Sequence, residues 1–581
     1  MKNTWITRLS VALTLLSLML GASRCAAASD MDLILYNGKI VTVDAGFSIQ
    51  QAMAVRGNRI EAVGSDEDIL RRKTGRTHVL DLAGKMVLPG LIDTHVHACD
   101  AAMTEFDHPI GQMDAIPDIL DYVRGQAGVL QDGQWIVLQQ VFITRLREQR
   151  YPTRQELDAA APQNPVVFRT GPDASLNTLA LKLSQIDKDF RVADGGPGYA
   201  EKDPRTGEPT GILRGCNRYI KDRPSGRTPT PKDRYDRLLT LLKDYSSVGI
   251  TGICEGSAGQ SNLQLYQKML DAGDLPVRVA AQYYIDTIGP IEKIQENIRQ
   301  IAQLPLRRGG PMLRIIGIKA FLDGGMLTGS AYMREPWGVS KIYAIEDPNY
   351  RGVLFIPGDR LLPIVRTVTE CGMQFTAHTV GDGAVHALLD AYEEVNKATP
   401  VKDRRHCITH SNFMSPESID KAAKLGVIPL IQPAWLYLDA RTLTTHFGYD
   451  RLRYFQPLRS IFEAGGIAAG GSDHMQKIGS LRSNNPYNPF LAIGTAVTRR
   501  ARWYEGQLHP EEAISREQAI RFYTICCARA LFQEDLVGSL EAGKLADFIV
   551  LDRDLLTCAD DAIKDTQVLQ TYMDGRLVFK R

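Results

Sequence analysis

At 581 residues the chain exceeds one ordinary hydrophobic core, so a large barrel with an accessory domain, or several small domains, is expected. Its 44% apolar and 23% charged residues are those of a globular protein and exclude extended disorder. A formal net charge of +1 gives no drive toward nucleic acid or an anionic membrane, which leaves a small neutral or mixed-charge partner.

The first segment reads as a secretory signal peptide over residues 1–28. Lys2 and Arg8 precede the apolar run LSVALTLLSLMLGAS, and Ala26, Ala27 and Ala28 offer an A-x-A cleavage site after Ala28. The run is too short for a comfortable span, so an exported, periplasmic or secreted protein with no lasting membrane insertion is expected. Cys25 hints at a lipid anchor, but Arg24 before it fits that processing poorly. The other eight cysteines (99, 216, 254, 371, 407, 526, 527 and 558) include no CxxC pair, which argues against a cysteine metal site; one or two disulfides are compatible with export.

From Leu33 short alternating strands follow. LILYNGKIVTV and QAMAVRGNRIEAV place Asn37-Gly38 and Gly57-Asn58 at hairpin positions. The C-terminal end repeats the pattern in ADFIVLD and QTYMDGRLVFK, with Asp574-Gly575 as the turn. The two ends, 29–86 and 536–581, are each too small to fold alone and are expected to form one composite β-sandwich domain.

Between them, over 87–535, eight strand candidates alternate with helix-like stretches. They are LPGLIDTHVH, GITGICEG, PVRVAAQYY, LRIIGIKAFLDG, MQFTAHTV, HCITHSN, GVIPLIQP and GIAAGGSD. Such alternation indicates a parallel sheet, and eight units fit an α/β fold of the TIM-like (β/α)8 class, whose chemistry sits at the strand C-termini. The interval of about 98–247 after the first strand is too long for one crossover and is expected to carry an inserted lid subdomain, with strands in WIVLQQVF and PVVFRT and a hairpin around DPRTGEPTGIL. After the last strand, Ser515 and Gln518 form a capping box for a helix through REQAIRFYTICCARALF.

The polar residues fall late in these strands. His95 and His97 flank Val96, so in a strand both point to one face as a pincer for a metal ion; two ordinary strand-end histidines fit that tripeptide equally well. Lys319 lies inside the apolar run IIGIKAFL, where an unpaired ammonium is costly, and a salt bridge to Asp323 or Glu255 is the ordinary alternative. His378, His410 and Asp473 end the fifth, sixth and eighth strands; singly they fit satisfied core histidines and a helix N-cap. Together, histidines and a carboxylate at one barrel mouth are what a zinc-class ion needs. Asp382 and His474 are candidates for orienting ligands, His386 and His406 read as structural, and His78, His108, His446 and His509 carry no signal.

These segments resemble the amidohydrolase superfamily, and within it the amidohydrolase-3, or YtcJ-like, metal-dependent hydrolases. The resemblance runs from about Leu33 to Arg581 through PGLIDTHVH, GEPTGIL, IKAFLDG, HTVGDGAVHALLDAYE, RHCITHS, GGSD with NPYNPFLAIGTAVTR, and GSLEAGKLADFIVLD. It implies two divalent metal ions, most simply Zn2+: His95, His97 and Asp473 on one, His378 and His410 on the other, and Lys319, carboxylated by CO2, bridging both. Asp473 would be the catalytic base and acid, and the substrate a small amide-like molecule. The chain departs from the family in TGPDASLN, where Pro172 replaces a histidine before Asn177, and in GICEG, with Cys254 and Glu255 at a strand end.

The expected activity is hydrolysis of a non-peptide carbon–nitrogen bond in a small amide, N-substituted formamide or cyclic amide. A carboxylic ester or lactone hydrolase on the same site, a one-metal deaminase-like site, and a non-catalytic exported binding or regulatory protein are the alternatives. A homo-oligomer is compatible with the sequence.

Overall fold

The computed structural model describes residues 31–139, 141–223 and 226–581. The signal segment expected over residues 1–28 lies outside them. Among the described residues no helix is long and apolar enough to cross a membrane.

The eight expected strands form one parallel sheet in sequential order. They are β1 (Leu91–Val96), β2 (Ile250–Ala258), β3 (Arg278–Tyr284), β4 (Leu313–Phe321), β5 (Gln374–Thr379), β6 (Cys407–His410), β7 (Ile428–Ile431) and β8 (Ala469–Gly470). The last strand meets the first through the chain just beyond β8: Asp473 N donates to His95 O and His97 N to His474 O, each at 2.8 Å, and Thr94 Oγ1 donates to Gly470 O at 2.8 Å. The result is a nearly closed (β/α)8 barrel in which the same backbone bonds that close it bring the ends of β1 and β8 together. The alternation of each strand sorts its side chains: Ile318 and Ala320 pack outward with the helical residues Leu361, Ile364 and Val365, so Lys319 points inward. Below the site, Ile92, Cys254, Ala280, Ile316, Cys407 and Leu430 fill the barrel floor against Cys527 and Ala528.

The helix expected after Ser515 is two helices, Arg516–Phe522 and Ile525–Ala530. The break leaves the Tyr523 carbonyl free of helical bonding, and it accepts from Ile92 N at 2.9 Å, fastening the floor helices to β1.

The termini combine in two further sheets. One has four strands from the N-terminal segment; the other, of six, mixes Lys39–Val41, Ile49–Gln50 and Met86–Pro89 with the C-terminal Phe548–Leu551, Val568–Met573 and Arg576–Lys580. Gly57-Asn58 and Asp574-Gly575 turn antiparallel hairpins as expected. Asn37-Gly38 does not: Leu33–Tyr36 and Lys39–Val41 lie in different sheets, and the chain crosses between them there. The crossing runs close to Leu82, whose Cδ1 would lie 2.3 Å from a Cβ at position 38. Buried Arg278 ties the barrel to this domain through Asp547 (2.7 and 2.8 Å) and Asp574 (2.6 Å).

The chain after β1 builds a separate five-stranded sheet that includes Ile136–Leu138, Val166–Thr170, Asp173–Leu176 and the hairpin Tyr199–Lys202 with Pro209–Arg214. Helix Pro231–Ser247, capped by Thr230 with Asp233, then returns to the barrel wall through Leu238, Leu241 and Leu242. All eight described cysteines are free, so the disulfides compatible with export are not formed. Most are buried among apolar neighbours, which is the role of a small filler.

Candidate active site

The rim of the barrel gathers the six side chains. His95 Nε2 and His97 Nε2 stand 3.2 and 3.3 Å from the same atom, Asp473 Oδ1. Donor atoms of these three residues all lie within 4.8 Å of one another. Two zinc ligands with bonds of about 2.05 Å at the tetrahedral angle are about 3.3 Å apart, so the spacing is that of donors sharing one centre. The other histidines continue the cup: the His95 and His410 rings are 5.3 Å apart, and those of His410 and His378 4.4 Å. Lys319 lies in the same field, lowering the affinity of His95, His378 and His410 for protons.

Buried donors here lack the partners that a finished site demands. His95 Nδ1, Lys319 Nζ and His378 Nε2 have no hydrogen-bond partner, and each is fully enclosed. Lys319 makes no salt bridge to Asp323 or Glu255, and burial draws its pKa down to about 7. Burial holds His95 and His378 down to about 3, so both are neutral bases at neutral pH. Burial also opposes charge on His97, but its hydrogen bond to Asp473 overcomes that and raises it. Asp473 is held well below the carboxylate range, since the bonds from His95 and His97 outweigh its burial. His95, His378 and His410 as neutral imidazoles beside the anionic Asp473 are the donor types that a divalent cation takes.

The backbone spends conformational energy to aim two of these groups. His410 has φ +87° and Asp473 φ +55°, in the left-handed region that costs a side-chain-bearing residue about 1–3 kcal/mol. His410 Nδ1 meets Gln432 Oε1 at 2.9 Å, which places the proton on Nδ1 and leaves Nε2 as the lone-pair donor. Its ring stacks on Trp435 at 4.8 Å. Asp93 accepts from His95 N (3.1 Å) and Ser472 N (3.0 Å), pinning β1 to the turn that carries Asp473. At the end of β2, Gly256 leaves room for His95: a Cβ there would lie 2.4 Å from its Cε1.

Glu255, at the departure noted in GICEG, accepts from Ala98 N (3.1 Å) and Tyr266 OH (2.5 Å), supporting the turn after His97. Burial raises it to about 7. Gln432, Asp93 and Trp435 carried no sequence signal, because their partners are set by contacts between strands distant in the chain. Of the two residues considered as orienting ligands, His474 is buried, bonded to Tyr245 OH at 2.7 Å, and its carbonyl holds His97 N; Asp382 instead binds Arg334 N and touches no member of the cup. His406 is structural, bonded to Thr369 Oγ1 and Phe375 N at 2.9 Å each.

Above the cup opens a cavity of about 920 Å3. Its walls include Tyr284, Phe321 and Phe355 from the barrel, Trp135 and Pro172 from the insert, and Met475 beyond β8. His108, which had no sequence signal, also lines it.

The Amidohydrolase family model matches residues 78–579. The chain belongs to the amidohydrolase family. As a member of it, the protein is a hydrolase acting on carbon–nitrogen bonds other than peptide bonds, on a fold that carries a divalent metal. The amidohydrolase chain is 29% identical to N-substituted formamide deformylase of Arthrobacter pascens, over 95% of this chain and 98% of that protein. It is 24% identical to the Bacillus subtilis protein YtcJ across 95% of this chain and 100% of the other. Its fold is similar to the crystal structure of an uncharacterized metal-dependent hydrolase from Pyrococcus horikoshii, with a TM-score of 0.65 and 20% identity over 91% of this chain and 99% of that one.

The buried histidines of this amidohydrolase give the metal-free protein a pH dependence. Burial holds His406 to about 3 and His474 to about 4, both below the unfolded value of 6.5, so the unfolded chain takes up protons first as pH falls. Their stability is therefore complete above about pH 6.5 and is lost from there down to about pH 4 for His474 and about pH 3 for His406, at about 1.4 kcal/mol per pH unit for each. Urea unfolding of chelator-treated protein at pH 7 and pH 5 checks this; an unchanged midpoint would contradict it.

Proposed function

We propose that the protein is an exported, zinc-dependent hydrolase of small N-substituted amides, formamides or cyclic amides. The observation that carries the reading is the shared approach of His95, His97 and Asp473 to within 4.8 Å, with His378, His410 and an unpaired Lys319 completing the cup. His95, His97 and Asp473 would hold one ion, and His378 and His410 a second. A divalent cation bound there supplies a more acidic water and polarises the substrate carbonyl.

The protein's own groups do the rest. Lys319, drawn down to about 7 by burial, offers an unprotonated amine that can add to CO2 and lose a proton, giving a carbamate anion suited to bridge two cations. Asp473, anionic and aimed from a left-handed turn, accepts the proton of the attacking water and returns it to the leaving nitrogen as the carbon–nitrogen bond breaks. The acyl carbon leaves as a carboxylic acid and the nitrogen as an amine.

Support for an N-substituted amide comes from the cavity, which at about 920 Å3 far exceeds a formyl group and whose mixed lining, with Tyr284, Phe321 and Phe355 beside Asp107, Arg218 and Asp222, leaves room for an organic substituent on nitrogen. The formamide deformylase relative hydrolyses a substrate of that description by its name. Assay of N-substituted formamides against matched formate esters is expected to show turnover of the amides with kcat/KM at least equal to the esters. Turnover of esters alone would replace this reading by an ester hydrolase on the same site.

A further inference from the structure

Asp473 is gripped from outside the barrel. Asn485 Nδ2 donates to the Asp473 carbonyl at 2.7 Å and to its Oδ2 at 3.2 Å. Oδ1 of the same carboxylate faces His95 and His97, so the two oxygens have separate partners. An asparagine amide presents its acceptor on one side and its donor on the other, and what faces the acceptor decides which way it points. Here that neighbour is Arg145, which is donor-only: Nη1 donates to Asn485 Oδ1 at 2.9 Å and also to the Asn484 carbonyl. Arg145 thereby fixes the Asn485 amide with its NH2 toward Asp473.

Arg145 is itself aimed by a fork onto Asp439, with Nε to Oδ1 at 3.0 Å and Nη2 to Oδ2 at 2.8 Å. Thr144 Oγ1 donates to the same carboxylate at 2.7 Å. Asn485 and Asp439 are wholly buried and Arg145 nearly so, so none of these bonds competes with bulk water. Thr144 and Arg145 belong to the 3-10 turn Ile143–Arg145 of the insert, Asp439 to helix Pro433–Phe447 after β7, and Asn485 to the loop after β8. Two neighbouring bonds fasten the same seam: Lys477 Nζ donates to Gly111 O at 2.9 Å, and Gln476 Nε2 to Gln139 O.

We propose that Arg145 and Asn485 are positioning residues that tie the seated insert to Asp473, so that the carboxylate is aimed only while the insert is docked on the barrel. The inference rests on the role given to Asp473 in the proposed function. The relay acts on the geometry of the base and of a zinc ligand, and contacts neither substrate nor water itself.

Asn485→Asp is the sharpest variant, because it keeps the shape and leaves Arg145 a partner but turns the donor facing Asp473 into an acceptor. Asn485→Ala removes the donor without adding charge. Each is expected to lower kcat about 10- to 100-fold with KM within about threefold of the parent, the scale of effect of groups that orient metal ligands. Calorimetric titration of the chelator-treated proteins with zinc chloride is expected to show affinity falling by about 10-fold or more. Asn485→Asp with parental kcat and parental zinc affinity would overturn the relay. If the parent hydrolyses no amide yet both variants bind zinc more weakly, the functional reading fails while the relay stands.

Discussion

Replacing Lys319 by methionine is expected to lower kcat at least about 10^3-fold, a loss of about 4 kcal/mol of transition-state stabilisation, while the metal-free protein becomes no less stable. The two halves of this result have one cause. Lys319 Nζ is enclosed with no hydrogen-bond partner, and it lies 5.8 Å from the centroid of the Phe321 ring. A lone amine in that setting is a cost to the fold, and methionine fills nearly the same space without a polar atom. The role given to Lys319 in the proposed function would account for that cost. Steady-state kinetics and thermal unfolding of chelator-treated protein check both halves; kcat within tenfold of the parent would contradict the role given to the lysine.

Asp323→Ala is expected to destabilise the protein by about 3–5 kcal/mol, the largest effect on folding of any substitution near the site. Its carboxylate accepts from three backbone amides: Val380 N at 2.9 Å, Gly381 N at 2.8 Å and Tyr332 N at 3.0 Å. Truncation leaves three buried donors unsatisfied, at about 1–3 kcal/mol each before relaxation. Two of them, at Val380 and Gly381, lie two and three residues after His378, so zinc retention should fall with stability. Urea unfolding measures the first and metal analysis after gel filtration the second; a loss under about 1 kcal/mol would contradict the clamp. The sequence offered Asp323 as an ion-pair partner for Lys319; the structure gives it the turn after β5 instead.

The barrel was legible because its signal is local. Most of the strands are short apolar runs, and β1, β4, β5, β6 and the turn after β8 carry His95, His97, Lys319, His378, His410 and Asp473 near their C-terminal ends, with Lys319 level with Thr376, two residues before His378. Periodicity alone sets Lys319 inward between Ile318 and Ala320. What escaped the sequence depends on contacts between distant segments. Gln432 faces His410 because β6 and β7 are neighbours in register, and Arg145 reaches Asn485 across 340 positions. His108 reaches the cavity wall only through the way the insert folds back over the barrel. The Asn37-Gly38 turn misled because the same dipeptide that turns a hairpin also lets a chain cross between two packed sheets, here against Leu82.

Counting the metal in purified protein by mass spectrometry, beside the His97→Ala variant, bears most directly on the cup of His95, His97, Lys319, His378, His410 and Asp473. The parent is expected to carry about two divalent ions per chain, chiefly zinc, and the variant fewer with turnover lost. A parent with less than one tightly held ion per chain, or a variant that keeps both metal and turnover, would contradict it.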